Sequence, residues 1–296
     1  MDQKRPGPVS APGELHVLTE SLEGDVVQIV SSGVTDVGRV RTNNEDSFRI
    51  VEPLNLFILS DGMGGEAHGE IASTMAVETV AKCCSQPQES MEDSDATLRC
   101  AASGDWSPQT RLLQRAVLQA NFNIYDSAQK NAGQRGMGAT LTAGWINGKK
   151  LSLAHVGDSR AYLLRTGSLQ QLTNDHSLVA EQVRRGILTP QQAEESEMQS
   201  VLLRALGANP EVDVEIEEFG LMPGDVLLFC SDGLTRLVTE PEIAGSLQAE
   251  TDAHSAAQKL VDLANERGGI DNVTVLVARV QEESRGWFSW LRRDSG

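Results

Sequence analysis

Two apolar runs in this chain end on the same three residues: Leu56-Phe57-Ile58-Leu59 leads into Ser60-Asp61-Gly62, and Val226-Leu227-Leu228-Phe229-Cys230 leads into Ser231-Asp232-Gly233. Short apolar runs closed by a turn signal read as buried strands. Each of these delivers a carboxylate where a buried strand meets a loop. Three further segments do likewise: Leu153-Ala154-His155-Val156-Gly157 leads into Asp158, Gly269-Ile270-Asp271-Asn272 precedes the run Val273 to Val280, and Asn43-Asn44-Glu45-Asp46 precedes Phe48. A single Asp-Gly is explained by a tight turn. Five acidic strand termini with almost no basic residue beside them are not, because clustered carboxylates repel unless a cation or a proton compensates them. Oxygen donors without His or Cys select Mg²⁺ or Mn²⁺ over zinc. The pattern predicts a polycarboxylate metal site.

Around these runs the texture is that of α+β. Further strands are expected at Val26 to Val30, Phe48 to Val51, Leu141 to Ile146, Leu151 to Val156 and Ala161 to Leu164, with an acidic, half-buried strand from Glu211 to Glu218. Helical stripes fall at Ile71, Met75, Ala76 and Val80, at Leu112 to Ile124, and at Ala256 to Ala264. The helices do not alternate one-for-one with the strands, which argues against a doubly wound parallel sheet. Residues 1–25, dense in proline, glycine and charge, read as a disordered lead-in to a domain over 26–281, with 282–296 as a tail carrying Trp287 and Trp290. Residues 85–110 read as an elaborated loop between two helices. Residues 174–207, with a short stripe (Leu178, Val179, Val183), an Arg184-Arg185-Gly186 break and a Thr189-Pro190 helix start, read as a surface flap.

Composition narrows the function. Forty-two acids against 25 Lys and Arg leave a formal charge of −17, the wrong sign for neutralising a nucleic acid backbone. No apolar stretch approaches the ~18 residues of a membrane span. The start lacks the apolar core of a secretory signal, and Cys83, Cys84, Cys100 and Cys230 form no CxxC pair, so a cytoplasmic protein with reduced thiols is expected. Gly62-Met63-Gly64-Gly65-Glu66-Ala67 loosely fits a dinucleotide fingerprint, but Ala81 and Lys82 stand where its acid belongs.

Taken together, Arg41-Thr-Asn-Asn-Glu45-Asp46, Ser60-Asp61-Gly62-Met-Gly64-Gly65, Gly138-Ala-Thr140, Val156-Gly157-Asp158-Ser159-Arg160, Ser231-Asp232-Gly233-Leu234 and Gly269-Ile-Asp271-Asn272 form a series. In order and spacing, over about residues 28 to 281, it closely resembles the metal-dependent serine/threonine protein phosphatases of the 2C type in their bacterial form. The resemblance implies a β-sandwich of two antiparallel sheets flanked by helix pairs, four layers in the order αββα, with a binuclear Mg²⁺ or Mn²⁺ centre at one edge. It implies hydrolysis of phosphoserine and phosphothreonine on proteins by a metal-bridging hydroxide, reversing a cellular Ser/Thr kinase; a monomer is expected.

Carried over residue by residue, Asp61 bridges both ions and the Gly62 carbonyl ligates one. Asp232 and Asp271 complete the first ion, while Glu45 holds the second, directly or through water, with Asp46 supporting it. Arg41 grips the substrate phosphate. Asp158, and Ser200 by its match to a serine of some bacterial members, would serve a further ion. Two departures stand out. Met63 replaces a histidine that follows Asp-Gly in some eukaryotic relatives, leaving a metal-bound water as proton donor ahead of His68 or His176. Arg236 stands where many relatives carry an aspartate for a third ion, and is expected to weaken that site or to pair with Asp158. The rival reading, a non-catalytic or single-substrate phosphoprotein-binding regulator of the same fold, is opposed by the retention of Asp61, Asp232 and Asp271.

Overall fold

The apolar runs form strands because both of their faces are covered. In β3 (Leu56–Met63), Leu56 and Ile58 pack under helices while Phe57 and Leu59 face the opposite sheet. In β10 (Val226–Cys230), Val226, Leu228 and Cys230 face helices and Leu227 and Phe229 face the other sheet. Phe57 and Phe229 stack across the interior with ring centroids 5.8 Å apart. Full burial of each such side chain stabilises the fold by roughly 1.5–3 kcal/mol.

The computed structural model describes residues 27–64, 68–86 and 105–282. The remaining strands are β1 (Val27–Asp36), β2 (Asp46–Val51), β4 (Gly138–Ala139), β5 (Leu141–Asn147), β6 (Lys150–Val156), β7 (Arg160–Arg165), β8 (Ser168–Gln171), β9 (Glu215–Gly220) and β11 (Val273–Glu282). The helices are α1 (His68–Ser85), α2 (Pro108–Lys130), α3 (Leu178–Arg184), α4 (Pro190–Glu194), α5 (Asp232–Thr235), α6 (Glu240–Ala249) and α7 (Ala253–Glu266). One sheet has the order β1-β11-β10-β7-β8 and the other β2-β3-β5-β6-β9, with β4 pairing β3. Neighbouring strands are antiparallel. Helices α1 and α2 cover the second sheet and α6 and α7 the first, giving the αββα sandwich with one apolar layer between the sheets and one under each helix pair. Among the described residues no helix is long and apolar enough to cross a membrane.

The departures from expectation have physical causes. The acidic strand begins at Glu215, four residues later than its alternation suggests, and β1 extends to Asp36 because β11 pairs along its whole length. Strand β8 is four residues long with alternating exposure, too short for a period to show. Helix α6 was not expected: it opens on a capping box, Thr239 and Glu242, but its apolar stripe is only Ile243 and Leu247 with a small Ser246, too sparse for a helical period to show. The lead-in 1–25, residues 87–104 of the long loop, and the tail with Trp287 and Trp290 lie outside the described residues.

The 174–207 segment is tied at its base and open at its tip. Ser177 bridges Leu202, Leu206 bridges Ala139, and Leu203 N–H donates to the His176 carbonyl at 2.7 Å. Beyond α3, Arg184 and Arg185 are 44% and 68% exposed and share Glu181, and a Cβ on Gly186, at φ +69°, would meet nothing within 4 Å. Trypsin is therefore expected to cut at Arg184 or Arg185 before any bond in the sandwich. Fragment masses from a time course check this; resistance equal to that of the sheets would make the segment part of the core.

Candidate metal centre

Both sheets bring strand ends to one edge. In the second sheet the β2/β3 register sets Asp46 directly opposite Asp61. In the first, β10 ends at Cys230, so that Ser231 and Asp232 open α5, while Asp271 and Asn272 precede β11 and Asp158 lies in the turn from β6 to β7. Hydroxyls stitch the two sheets together here. Ser231 Oγ and Thr274 Oγ1, both from the first sheet, donate to Asp46 Oδ2 at 2.8 and 2.7 Å.

The glycines of Ser-Asp-Gly serve close backbone approach rather than a tight turn. Neither Gly62 nor Gly233 is left-handed, but a Cβ on Gly62 would collide with the Gly69 carbonyl of α1 and one on Gly233 with the Asn272 carbonyl. Gly62 N–H donates to the Glu45 carbonyl at 3.1 Å, which fixes Glu45 beside the start of α1. Asn272 knits the same loop: its Oδ1 accepts from Glu45 N–H at 2.8 Å and its Nδ2 donates to the Val37 and Asn43 carbonyls at 3.0 and 2.9 Å. Thr140 Oγ1 accepts from Asp61 N–H at 2.9 Å.

The acids brought together are Asp46, Asp61, Asp158, Asp232 and Asp271, with Glu45 alongside. Burial, together with repulsion from Asp46, Asp232, Asp158 and Asp271, holds Asp61 well above the usual carboxylate range. Burial likewise pushes Asp46 up to about 7, against the hydrogen bonds from Thr274 and Ser231, and Asp158 up to about 8. Asp232, within hydrogen-bond reach of Asp61, is raised by burial although Arg236 opposes the shift. Such groups hold their charge only when positive charge is supplied.

Two arginines supply part of it. Arg41, half of its side chain exposed, donates through Nη2 to Asp271 Oδ2 at 2.9 Å and also faces Glu45 and Asp61. Arg236 pairs through Nη2 with Asp232 Oδ2 at 2.5 Å and lies 3.7 Å from Asp271 Oδ2. It acts on Asp158 as a neighbouring charge, so the expected direct pair with Asp158 is replaced by a pair with Asp232. The cause is the single turn of α5, which stacks residue 236 over residue 232.

Among the described residues no three carboxylate, imidazole or thiolate groups already close round one point as a ligand shell. Instead the acids present prepared oxygens. Asp46 and Asp232 each have Oδ2 held by a protein donor, whereas Oδ1 of each is buried without a hydrogen-bond partner. A buried, unpartnered carboxylate oxygen is costly, and a hard cation is the partner that suits several of them at once. The donor set fits Mg²⁺ or Mn²⁺.

Of the other candidates, Ser200 is exposed in the turn before the Ser177–Leu202 bridge and takes no part in these hydrogen bonds. His68 begins α1, half-buried. His176 is 4% exposed with both ring nitrogens engaged, by Gly157 N–H and by Glu215, which removes it as a proton donor to substrate. The supporting side chains Ser231, Thr274 and Thr140 were not singled out from sequence; Ser231 and Thr140 stood within the quoted motifs, but Thr274 carries no local signal.

The family profile described as Protein phosphatase 2C matches residues 38–268. Serine/threonine phosphatase stp of Listeria welshimeri is 35% identical over 246 residues, covering 82% of this chain and 92% of that protein. Serine/threonine protein phosphatase PstP of Mycobacterium tuberculosis is 38% identical over 252 residues, covering 85% of this chain and 45% of PstP. Among solved structures, the PstP catalytic domain in complex with two manganese ions has a TM-score of 0.73 at 36% identity, over 86% of this chain and 99% of that one. Sequence similarity, the αββα sandwich and the acid-lined edge agree: the chain belongs to the protein phosphatase 2C family.

Proposed function

We propose that this protein removes phosphate from phosphoserine and phosphothreonine on other proteins, with two Mn²⁺ or Mg²⁺ ions at the acid-lined edge. The observation that carries the reading is the pair of buried, unpartnered oxygens, Asp46 Oδ1 and Asp232 Oδ1, within a cluster of repelling carboxylates. When bound, such ions supply water activation near neutral pH and positive charge opposite the phosphoryl oxygens. Asp61, flanked by acids of both sheets, would serve both ions, with the Gly62 carbonyl beside it. Asp232 and Asp271 would hold one ion and Glu45 the other, Asp46 acting through water. The protein is proposed to act as a monomer in the cytoplasm, opposing a Ser/Thr kinase; the cytoplasmic part of this reading is supported by the lack of any CxxC pair among its four cysteines.

Arg41 binds and orients substrate. One of its N–H groups is committed to Asp271; a guanidinium has five, and the exposed remainder can take two phosphate oxygens in a fork. Arg41→Ala removes a charge-assisted contact of about 1.5–3 kcal/mol, so kcat/KM is expected to fall by about one to two decades. Steady-state kinetics on a phosphothreonine peptide check this, and an unchanged kcat/KM would take Arg41 out of the substrate site.

Asp158 and Arg236 bear on the ion count. A guanidinium stays cationic and cannot ligate a metal, and here it faces Asp232, Asp271 and Asp158, so two ions rather than three are proposed, with Ser200 uninvolved. Arg236→Asp is expected to add a weak third phase to a Mn²⁺ titration followed by calorimetry. A third phase already present in the unmodified protein and lost in Asp158→Asn would contradict this.

A further inference from the structure

The flap and the acid cluster meet at one side chain. His176 forms a two-way pair with Gly157: its N–H donates to the Gly157 carbonyl at 2.7 Å, and Gly157 N–H donates to its Nδ1 at 3.1 Å. Its carbonyl accepts Leu203 N–H at 2.7 Å, from the returning limb of the flap. Because Nδ1 accepts, Nε2 carries the proton, and it points at Glu215 Oε2 of β9, 3.2 Å away. One residue thus holds the outgoing limb, the returning limb, the sheet edge and the glycine before Asp158.

That glycine has no slack. Gly157 has φ +114°, and a Cβ there would lie 2.6 Å from the Thr140 side chain. Thr140 in turn holds Asp61 N–H through Oγ1 and shares a 2.8 Å hydrogen bond with Ser159 Oγ. Next to His176, Asp175 is bound in a fork by Arg160 of β7, with Nη2 to Oδ2 at 2.7 Å. The His155 ring backs the His176 ring at a centroid distance of 4.8 Å. A shift of His176 therefore displaces the Asp158 turn and both limbs of the flap together.

We infer that His176 is a positioning residue that latches the 174–207 flap to the Gly157–Asp158 turn, coupling occupancy of the acid cluster to the order of the flap. The Mn²⁺ arm of this inference rests on the metal-centre reading above. Coupling is reciprocal: cations that fix the acid cluster fix the flap, and loosening the flap weakens the cluster.

The test is limited trypsinolysis of the full chain at Arg184 and Arg185, with and without Mn²⁺. In the unmodified protein Mn²⁺ is expected to slow cleavage by about fivefold or more, the lower end of usual coupling. His176→Ala is expected to bring that ratio near unity and to speed metal-free cleavage. His176→Asn, whose Oδ1 can accept Gly157 N–H, is expected to restore most of the protection, a rescue that general loss of stability would not produce. Equal Mn²⁺ protection in His176→Ala and the unmodified protein overturns the inference, as does no protection where calorimetry shows Mn²⁺ bound. Should His176→Ala fail to fold, Glu215→Ala frees the same ring from its other side: reduced protection supports the latch and unchanged protection overturns it. Absence of Mn²⁺ binding overturns the metal-centre reading, and the metal-free cleavage rates of the two His176 variants then decide the latch alone.

Discussion

Asp61→Asn is expected to lower turnover by about three decades or more, a loss of about 4 kcal/mol in transition-state stabilisation, while leaving the fold intact and the metal-free protein more stable. Both halves follow from the position of Asp61. It is surrounded by Asp46, Asp232, Asp158 and Asp271, and burial adds to their repulsion. The unfolded chain carries Asp61 ionised near neutral pH, so the metal-free fold must take up a proton there; an amide of the same shape is neutral in both states and removes that cost. The same change removes the carboxylate proposed to serve two ions at once. Turnover on a phosphothreonine peptide and thermal unfolding in EDTA separate the two effects. A variant that keeps more than a tenth of the activity would show that Asp61 is not the shared ligand.

Metal-free stability is expected to fall between pH 6.5 and 8, and Mn²⁺ is expected to abolish the fall. Asp46 and Asp158 are raised to about 7 and about 8, chiefly by burial. A carboxyl whose folded pKa lies above its unfolded value stabilises the fold while it stays protonated. That contribution drains away from the unfolded pKa upward and is gone once pH passes the folded value. His155 works in the opposite direction: burial and His176 lower it to about 4, so its contribution is lost as pH falls below the ordinary histidine range. Above about pH 7.5 it no longer varies, and between pH 6.5 and 7.5 it offsets the carboxylates by only about 0.4 kcal/mol. Between pH 6.5 and 8 Asp158 and Asp46 together amount to about 2.5 kcal/mol, or roughly 5–10 °C in Tm for a domain of this size. Calorimetric melting in EDTA and in Mn²⁺ at several pH values measures it. A metal-free Tm that is flat or rising over this interval would contradict the raised carboxyls.

The parts of this account that were legible in the sequence are those with local causes. Leu56 to Leu59 and Val226 to Cys230 are apolar throughout because each strand is covered on both faces, and their abrupt end at Ser-Asp-Gly marks where the chain reaches the edge of the sandwich. Gly62 and Gly233 stood out for the same reason, although the cause is backbone approach and not a turn. What escaped notice depends on contacts between segments distant in sequence. Thr274 is an ordinary strand threonine until the sheets stack and set its hydroxyl on Asp46, 228 residues away. Arg236 reads as a surface arginine or an Asp158 partner until α5 places it over Asp232. His176, an apparent reserve proton donor, is a buried clasp because the flap folds back over β6 and β9.

The most direct measurement is phosphate release from phosphoserine and phosphothreonine peptides by the unmodified protein, in Mn²⁺ and then in excess EDTA, with Mn²⁺ restored last. Saturable release in Mn²⁺, its loss in EDTA and its return on adding Mn²⁺ back are the predicted results. Release that persists in EDTA, or none under any of the three conditions, would contradict a carboxylate-held metal centre as the source of the activity.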